Sequence, residues 1–130
     1  MILETCQLLC TTHRVTGTAI PIPYKKTHVN HPCAIWTRES LQNYRWLLKL
    51  GFAQAQEYTH RYGKVHKSVQ VLNWCQDNIP NLPDTAQTPF VQCMPDEYKD
   101  SDPVIAYRNL YRLGKAHLAS WKNREKPEWF

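Results

Sequence analysis

Nine prolines partition this chain before any other feature does, at positions 21, 23, 32, 80, 83, 89, 95, 103 and 127. Proline has no N–H for a helix ladder, and its ring clashes with the preceding turn. It therefore belongs in loops, at edges or in the first turn of a helix. Helices are confined to the stretch before Pro21, the stretch between Pro32 and Pro80, and the stretch after Pro103.

Apolar periodicity fills those windows. Ile2, Leu3, Cys6, Leu9, Cys10 and His13 share one helical stripe, which predicts a helix over 2–14 stopped by Gly17. A second helix opens near Pro32 and continues through Leu41, Tyr44, Leu48, Phe52, Ala55, Tyr58 and Tyr62. Thr37–Ser40 is its candidate break and Gly63 its stop. Val65, Val69, Leu72 and Cys75 or Trp74 suggest a third helix closing before Pro80. Residues 80–100 read as an irregular loop. "SDP" at 101–103 is a helix start, with a capping side chain and Pro103 in the first turn. That helix is expected to pass through Tyr107, Leu110, Tyr111, Leu118 and Trp121, with Gly114 as an interruption. There is no internal repeat and no convincing strand pair. The expected class is mostly α: a compact single-domain helical bundle over 1–130, of about four helices, with a long Pro-rich loop.

With 130 residues and 42% apolar content, the chain is long enough for a modest core. No run of 18 apolar residues exists, so no membrane span is expected. The N-terminal stretch carries Glu4 and is amphipathic, unlike a signal peptide. Five cysteines without framework spacing fit free thiols in a reducing compartment. The net charge of +5 is uneven: +2 over 1–37, +4 over 38–67, −4 over 68–98 and +3 over 99–130. Two basic blocks flanking an acidic loop suggest a polyanionic partner, against the plain alternative of a basic chain without one.

The densest basic cluster is "EYTHRYGKVHKS" at 57–68, which interleaves Tyr58, His60, Arg61, Tyr62, Lys64, His66 and Lys67. Cations could position a phosphate backbone while rings hold a base. Arg38, Arg45 and Lys49 fall on one face of the expected long helix, and Arg108, Arg112 and Lys115 repeat the idea on the last. Such stripes are usually solvated faces. Asn30 or His31 can cap the helix at Pro32, and that helix start, ringed by Lys25, Lys26, His28 and His31, could also hold an anion. Cys6, Cys10 and His13 share a helix face and could bind zinc. The same stripe is the core face, however, so packing is the preferred reading, with no metal and no cofactor expected. His28, His31 and Cys33 lack the fixed pairs of a structural zinc site. No Walker loop, Gly-rich dinucleotide fingerprint or G-x-S-x-G elbow occurs.

Over nearly its whole length the chain resembles a group of small phage proteins. The shared phrases are "ILETxQLLxTxHR", "THVNHPxAIWxRES", "RYGKxHK", "MPDEYK", "AYRNxY" and "KxRExPEWF". This implies the cytoplasm of an infected bacterial host. More distantly, motifs in the same order resemble the phage endonuclease V family of pyrimidine-dimer DNA glycosylases. These are a first-helix Glu4, the turn Arg61-Tyr62-Gly63 after a long middle helix, and a basic close from Lys122 and Arg124 into Pro127-Glu128-Trp129-Phe130. That resemblance implies a compact, basic, all-α protein in which an N-terminal α-amine attacks the sugar C1′. The amine forms an imine, and the first-helix Glu stabilises the cation. It casts Met1 and Glu4 as catalytic. The departure is at the N-terminus, where only Met1, Ile2 and Leu3 precede Glu4, as if the family's leading segment were shortened. The large Ile2 disfavours removal of Met1, whose amine is within helical reach of Glu4.

Three readings follow. The first is a DNA-binding protein of the damage-glycosylase type, with or without catalysis. Arg38, Arg45, Arg61, Lys64, Lys67, Arg108 and Arg112 would contact phosphates, and Trp129 and Phe130 would pack on the duplex or a base. The second is a non-enzymatic, anti-defence binder of a signalling nucleotide or short oligonucleotide, lined by His28, Asn30, His31, Arg61, Lys64 and His66. The third is an adaptor with solvated charges. A homo-oligomer is compatible with each.

Overall fold

The computed structural model describes residues 1–130. It is mostly α, with five α-helices and no strand: α1 Ile2–Val15, α2 Pro32–Glu39, α3 Leu41–Tyr62, α4 Val69–Asp77 and α5 Pro103–Asn109. The residues fall into two compact units, Met1–Pro89 and Phe90–Phe130.

In the first unit α1 packs on α2, α3 and α4, and α3 packs on α2 and α4. Ile2, Cys6, Leu9 and Cys10 of α1 meet Tyr44, Leu47 and Leu48 of α3 and Leu72 and Cys75 of α4 in one core. Leu3, the remaining apolar residue of the α1 stripe, is exposed. Past the end of α1, Gly17 takes φ +76° and the Thr18 N–H returns to the His13 carbonyl at 3.0 Å. This is the Schellman closure that a residue without Cβ permits.

The long helix expected from Pro32 divides at Ser40, which is extended at φ −152° and ψ 157°. Its Oγ accepts the Asn43 N–H at 3.1 Å, an N-cap that starts α3 afresh. Arg38 therefore ends one helix while Arg45 and Lys49 lie on the next, and the three do not share a helical face. Halfway along α3, a Cβ built on Gly51 would sit 2.6 Å from Leu72 Cδ2 and 3.1 Å from Thr5 Cγ2. The missing side chain is what lets α1 and α4 settle against the α3 backbone.

Polar groups inside this unit are paired. His13 is wholly buried, with Nε2 2.9 Å from Tyr44 Oη and Nδ1 2.8 Å from Thr18 Oγ1. Tyr44 gives its proton to the Cys75 carbonyl at 3.0 Å. Nε2 must then carry the imidazole proton, and Nδ1 accepts from Thr18. Buried Asn43 donates to the Trp36 carbonyl at 2.7 Å and to Thr88 Oγ1 at 2.8 Å, and accepts the Thr88 N–H at 2.9 Å. With Leu41 N–H on the Pro83 carbonyl at 2.8 Å, these bonds hold the 80–89 loop against α3. Arg14 fixes the first loop by donating to the Ile22 and Tyr24 carbonyls, both at 3.1 Å.

The third expected helix begins at Val69 rather than Val65, which is exposed in the turn before it. In the second unit, Asp102 caps α5 through the Val104 N–H at 2.9 Å and Pro103 opens the first turn. The expected continuation through Trp121 is not made. The chain widens into a π turn over Leu110–Gly114 and then forms a single 3-10 turn, Ala116–Leu118. The break falls after Gly114, the expected interruption, where a Cβ would lie 3.1 Å from the Tyr98 ring. No helix is long and apolar enough to cross a membrane.

Candidate nucleic-acid interface

The α3–α4 turn gathers most of the 57–68 motif. Glu57 and Arg61 pair at i, i+4 with 3.6 Å between Oε1 and Nε. Tyr58 stacks obliquely on Tyr62 and meets His66 edge-on, each at 4.9 Å between centroids. Gly63 closes α3 at φ +67°, its N–H on the Thr59 carbonyl at 2.8 Å. No atom stands within 4 Å of where its Cβ would be, so the position is set by backbone sign alone. His66 Nδ1 accepts the Ser68 N–H at 3.0 Å, which shapes the entry to α4. Lys64 and Lys67 project into solvent beside exposed His60 and Tyr62. The rings thus build the turn as well as furnish its surface, and the cations extend from it.

The first turn of α1 lies at this end of the unit. Thr5 Oγ1 donates to Gln54 Oε1 at 2.8 Å, and Cys6 Sγ approaches the Ser68 carbonyl at 3.7 Å. The Met1 amine is 2.8 Å from Glu4 Oε2, both exposed. That amine, helped by a backbone hydrogen bond, holds the Glu4 carboxyl below its ordinary value. Tyr24 Oη meets Ser68 Oγ at 3.0 Å, so the loop carrying exposed Lys25 and Lys26 also departs from this turn.

At the start of α2, His31 rather than Asn30 is the cap, accepting the Cys33 N–H on Nδ1 at 3.1 Å. His28 takes φ +51°, and its carbonyl receives the His31 N–H at 3.0 Å. These contacts of His28 and His31 form a local turn, and Asn30 is exposed within it. Arg38 is half-buried, its Nη1 donating to the Val29 carbonyl at 2.8 Å, which makes it a brace for the loop. Arg45 and Lys49 are exposed on α3. Their face continues along the helix to Gln56 and His60, since offsets of four, eleven and fifteen residues return to one side.

The second unit carries its own set. The Arg108 guanidinium lies over the Trp129 ring, 5.2 Å from its centroid. Trp129 is half-buried against Phe130, with 5.6 Å between centroids, and one of its faces is taken by Arg108. Arg112 Nη2 reaches Asn109 Oδ1 at 3.4 Å from within the π turn, so its regular spacing from Arg108 and Lys115 is lost. Lys122 and Arg124 are exposed near the chain end.

The Cys6–Cys10–His13 stripe is unsuited to a metal. Both His13 nitrogens are engaged, and burial pushes the Cys6 thiol up to about 12. Cys75 is likewise held as a thiol by its hydrogen bond with Cys10 and by burial.

A shallow groove of about 310 Å³ adjoins the basic turn, lined by Phe52, Ala55, Gln56, Thr59, Val65 and Val69. Sequence reasoning missed it. Its lining comes from α3, the turn and α4, and no periodic signal groups Val65 with Gln56 and Thr59. Comparison with family models, with curated proteins and with solved structures found no match.

Proposed function

We propose that this chain binds nucleic acid through the basic turn between α3 and α4. The observation that carries the reading is the exposure of Lys64, Lys67, His60 and Tyr62 around one turn where Tyr58 contacts the Tyr62 and His66 rings. Glu57 is the one acid of residues 57–68 against Arg61, Lys64 and Lys67, and Lys64 and Lys67 are exposed, so the motif is net positive. A polyphosphate backbone is the partner such a surface favours, and affinity from it must fall with salt. With the resemblance to small phage proteins, the setting is the cytoplasm of an infected bacterium.

A specific contact supports imine chemistry as a second reading: the Met1 amine stands 2.8 Å from Glu4 Oε2. A neutral amine adds to the C1′ aldehyde of an abasic sugar to give a carbinolamine, whose hydroxyl takes a proton from solvent and leaves as water, giving a cationic imine. A carboxylate held below its usual range is a poor base but a good counterion, so Glu4 would stabilise that cation.

Two assays separate the readings. In the first, Lys64→Ala with Lys67→Ala should weaken DNA binding and reduce the slope of log K against log salt by about 2. An unchanged slope removes the basic turn from the interface. In the second, borohydride is added to the protein on abasic-site DNA. A covalent band with the parent and none with Glu4→Gln supports imine chemistry, and no band with either leaves binding alone.

A further inference from the structure

We infer that the groove beside the basic turn receives an unpaired nucleobase, so that the ligand is single-stranded nucleic acid in preference to duplex. This rests on the nucleic-acid reading and narrows it.

The groove is mostly apolar, and its volume of about 310 Å³ is at the small end of the roughly 300–1,000 Å³ typical of small-molecule sites. Phe52, Ala55, Val65 and Val69 offer apolar contact, while Gln56 and Thr59 add an amide and a hydroxyl to the lining. A nucleobase has that composition: apolar faces and a rim of donors and acceptors. In a duplex those faces are stacked away and only the backbone and groove edges are offered, which would leave exposed Val65 without a partner.

Charge runs the same way. Lys64 adjoins Val65 in the chain, Lys67 lies between Val65 and Val69, and His60 follows Thr59. Along α3 the exposed Arg45 and Lys49 share the face of Gln56 and His60. The rise of the helix makes that track about 22 Å long from Arg45 to His60. A strand laid along it would set phosphates on Arg45, Lys49 and Lys64 and turn one base into the groove. The occupant suited to an apolar slot with a cationic border is thus an anionic chain that carries flat apolar groups.

The test is fluorescence anisotropy with a labelled oligodeoxythymidine and a labelled duplex of mixed sequence. The probes are equal in length, and the parent is compared with Val65→Ser and the groove-filling Thr59→Phe. Both positions are exposed, so folding should survive; circular dichroism checks this. The single strand should bind tighter than the duplex. Each variant should lose about fivefold on the single strand and less than twofold on the duplex. Polyglutamate at matched charge should displace the oligonucleotide only weakly. Equal binding of the two nucleic acids, with neither variant affecting the single strand, overturns the inference while leaving the basic-turn reading intact. Displacement by polyglutamate as effective as by unlabelled oligonucleotide also overturns it, because the surface then reads charge alone. Absence of binding to either nucleic acid at low salt removes the parent reading itself.

Discussion

Acidification should destabilise the first unit through one buried imidazole. His13 is enclosed between Tyr44, Thr18 and Trp74, whose ring centroid lies 4.7 Å away. Burial lowers its pKa from 6.5 to about 4, with an opposing contribution from the Asn78 backbone. The folded chain therefore binds its proton later than the unfolded chain does. The neutral imidazole's contribution is fully present above pH 6.5, is lost progressively as pH falls towards about 4, and changes no further below that. At about 1.4 kcal/mol per pH unit, the interval from 6.5 to about 4 corresponds to about 3 kcal/mol. Urea unfolding followed by tryptophan fluorescence, repeated between pH 7.5 and about 4, should show that loss, with Trp74 as a local reporter. His13→Gln keeps an amide where the ring was. It should cost about 1–3 kcal/mol at neutral pH yet flatten the curve across the same window. If the parent holds its stability down to pH 4.5, or if the variant falls with the same slope, His13 is not the group responsible.

Two further outcomes are expected. Asn43→Ala removes three hydrogen bonds that link α3 to Trp36 and Thr88. It should cost about 3 kcal/mol in urea unfolding and open the 80–89 segment to limited proteolysis; unchanged cleavage there would refute the role given to Asn43. Gly63→Ala forces a Cβ into a left-handed turn with no steric neighbour, so it should cost only about 1–2 kcal/mol; a larger loss would mean the turn bears more than backbone sign.

Local chemistry made much of the fold legible. Pro32 and Pro103 each open a helix, and Gly17 and Gly63 stand in the left-handed conformation just past α1 and α3. Each needs only its own backbone to be understood. The stretch 37–40 was readable as a break, while the cap that fixes it at Ser40 depends on the Asn43 N–H. In the last helix Gly114 was readable as an interruption, while the π turn over Leu110–Gly114 and the Tyr98 ring that packs on Gly114 from sixteen residues away were not. Of the site, the basic turn was visible as a motif. The role of Arg38 was not, since its partner is a backbone carbonyl at Val29 that any residue could supply. The groove was hidden for the same reason: its walls meet only after α3 and α4 pack.

Gly51 ties three helices into one evolutionary unit. With Leu72 Cδ2 only 2.6 Å and Thr5 Cγ2 3.1 Å from the place a Cβ would occupy, position 51 cannot enlarge without displacing both side chains. A lineage that acquired Ala or Ser there would have to shift those side chains, or shorten one of them in the same step or soon afterwards. Homologous sequences should therefore vary at 5, 51 and 72 as a correlated triplet of roughly constant summed volume. Their basic turns, anchored to nothing so exacting, would be free to diverge with whatever they bind.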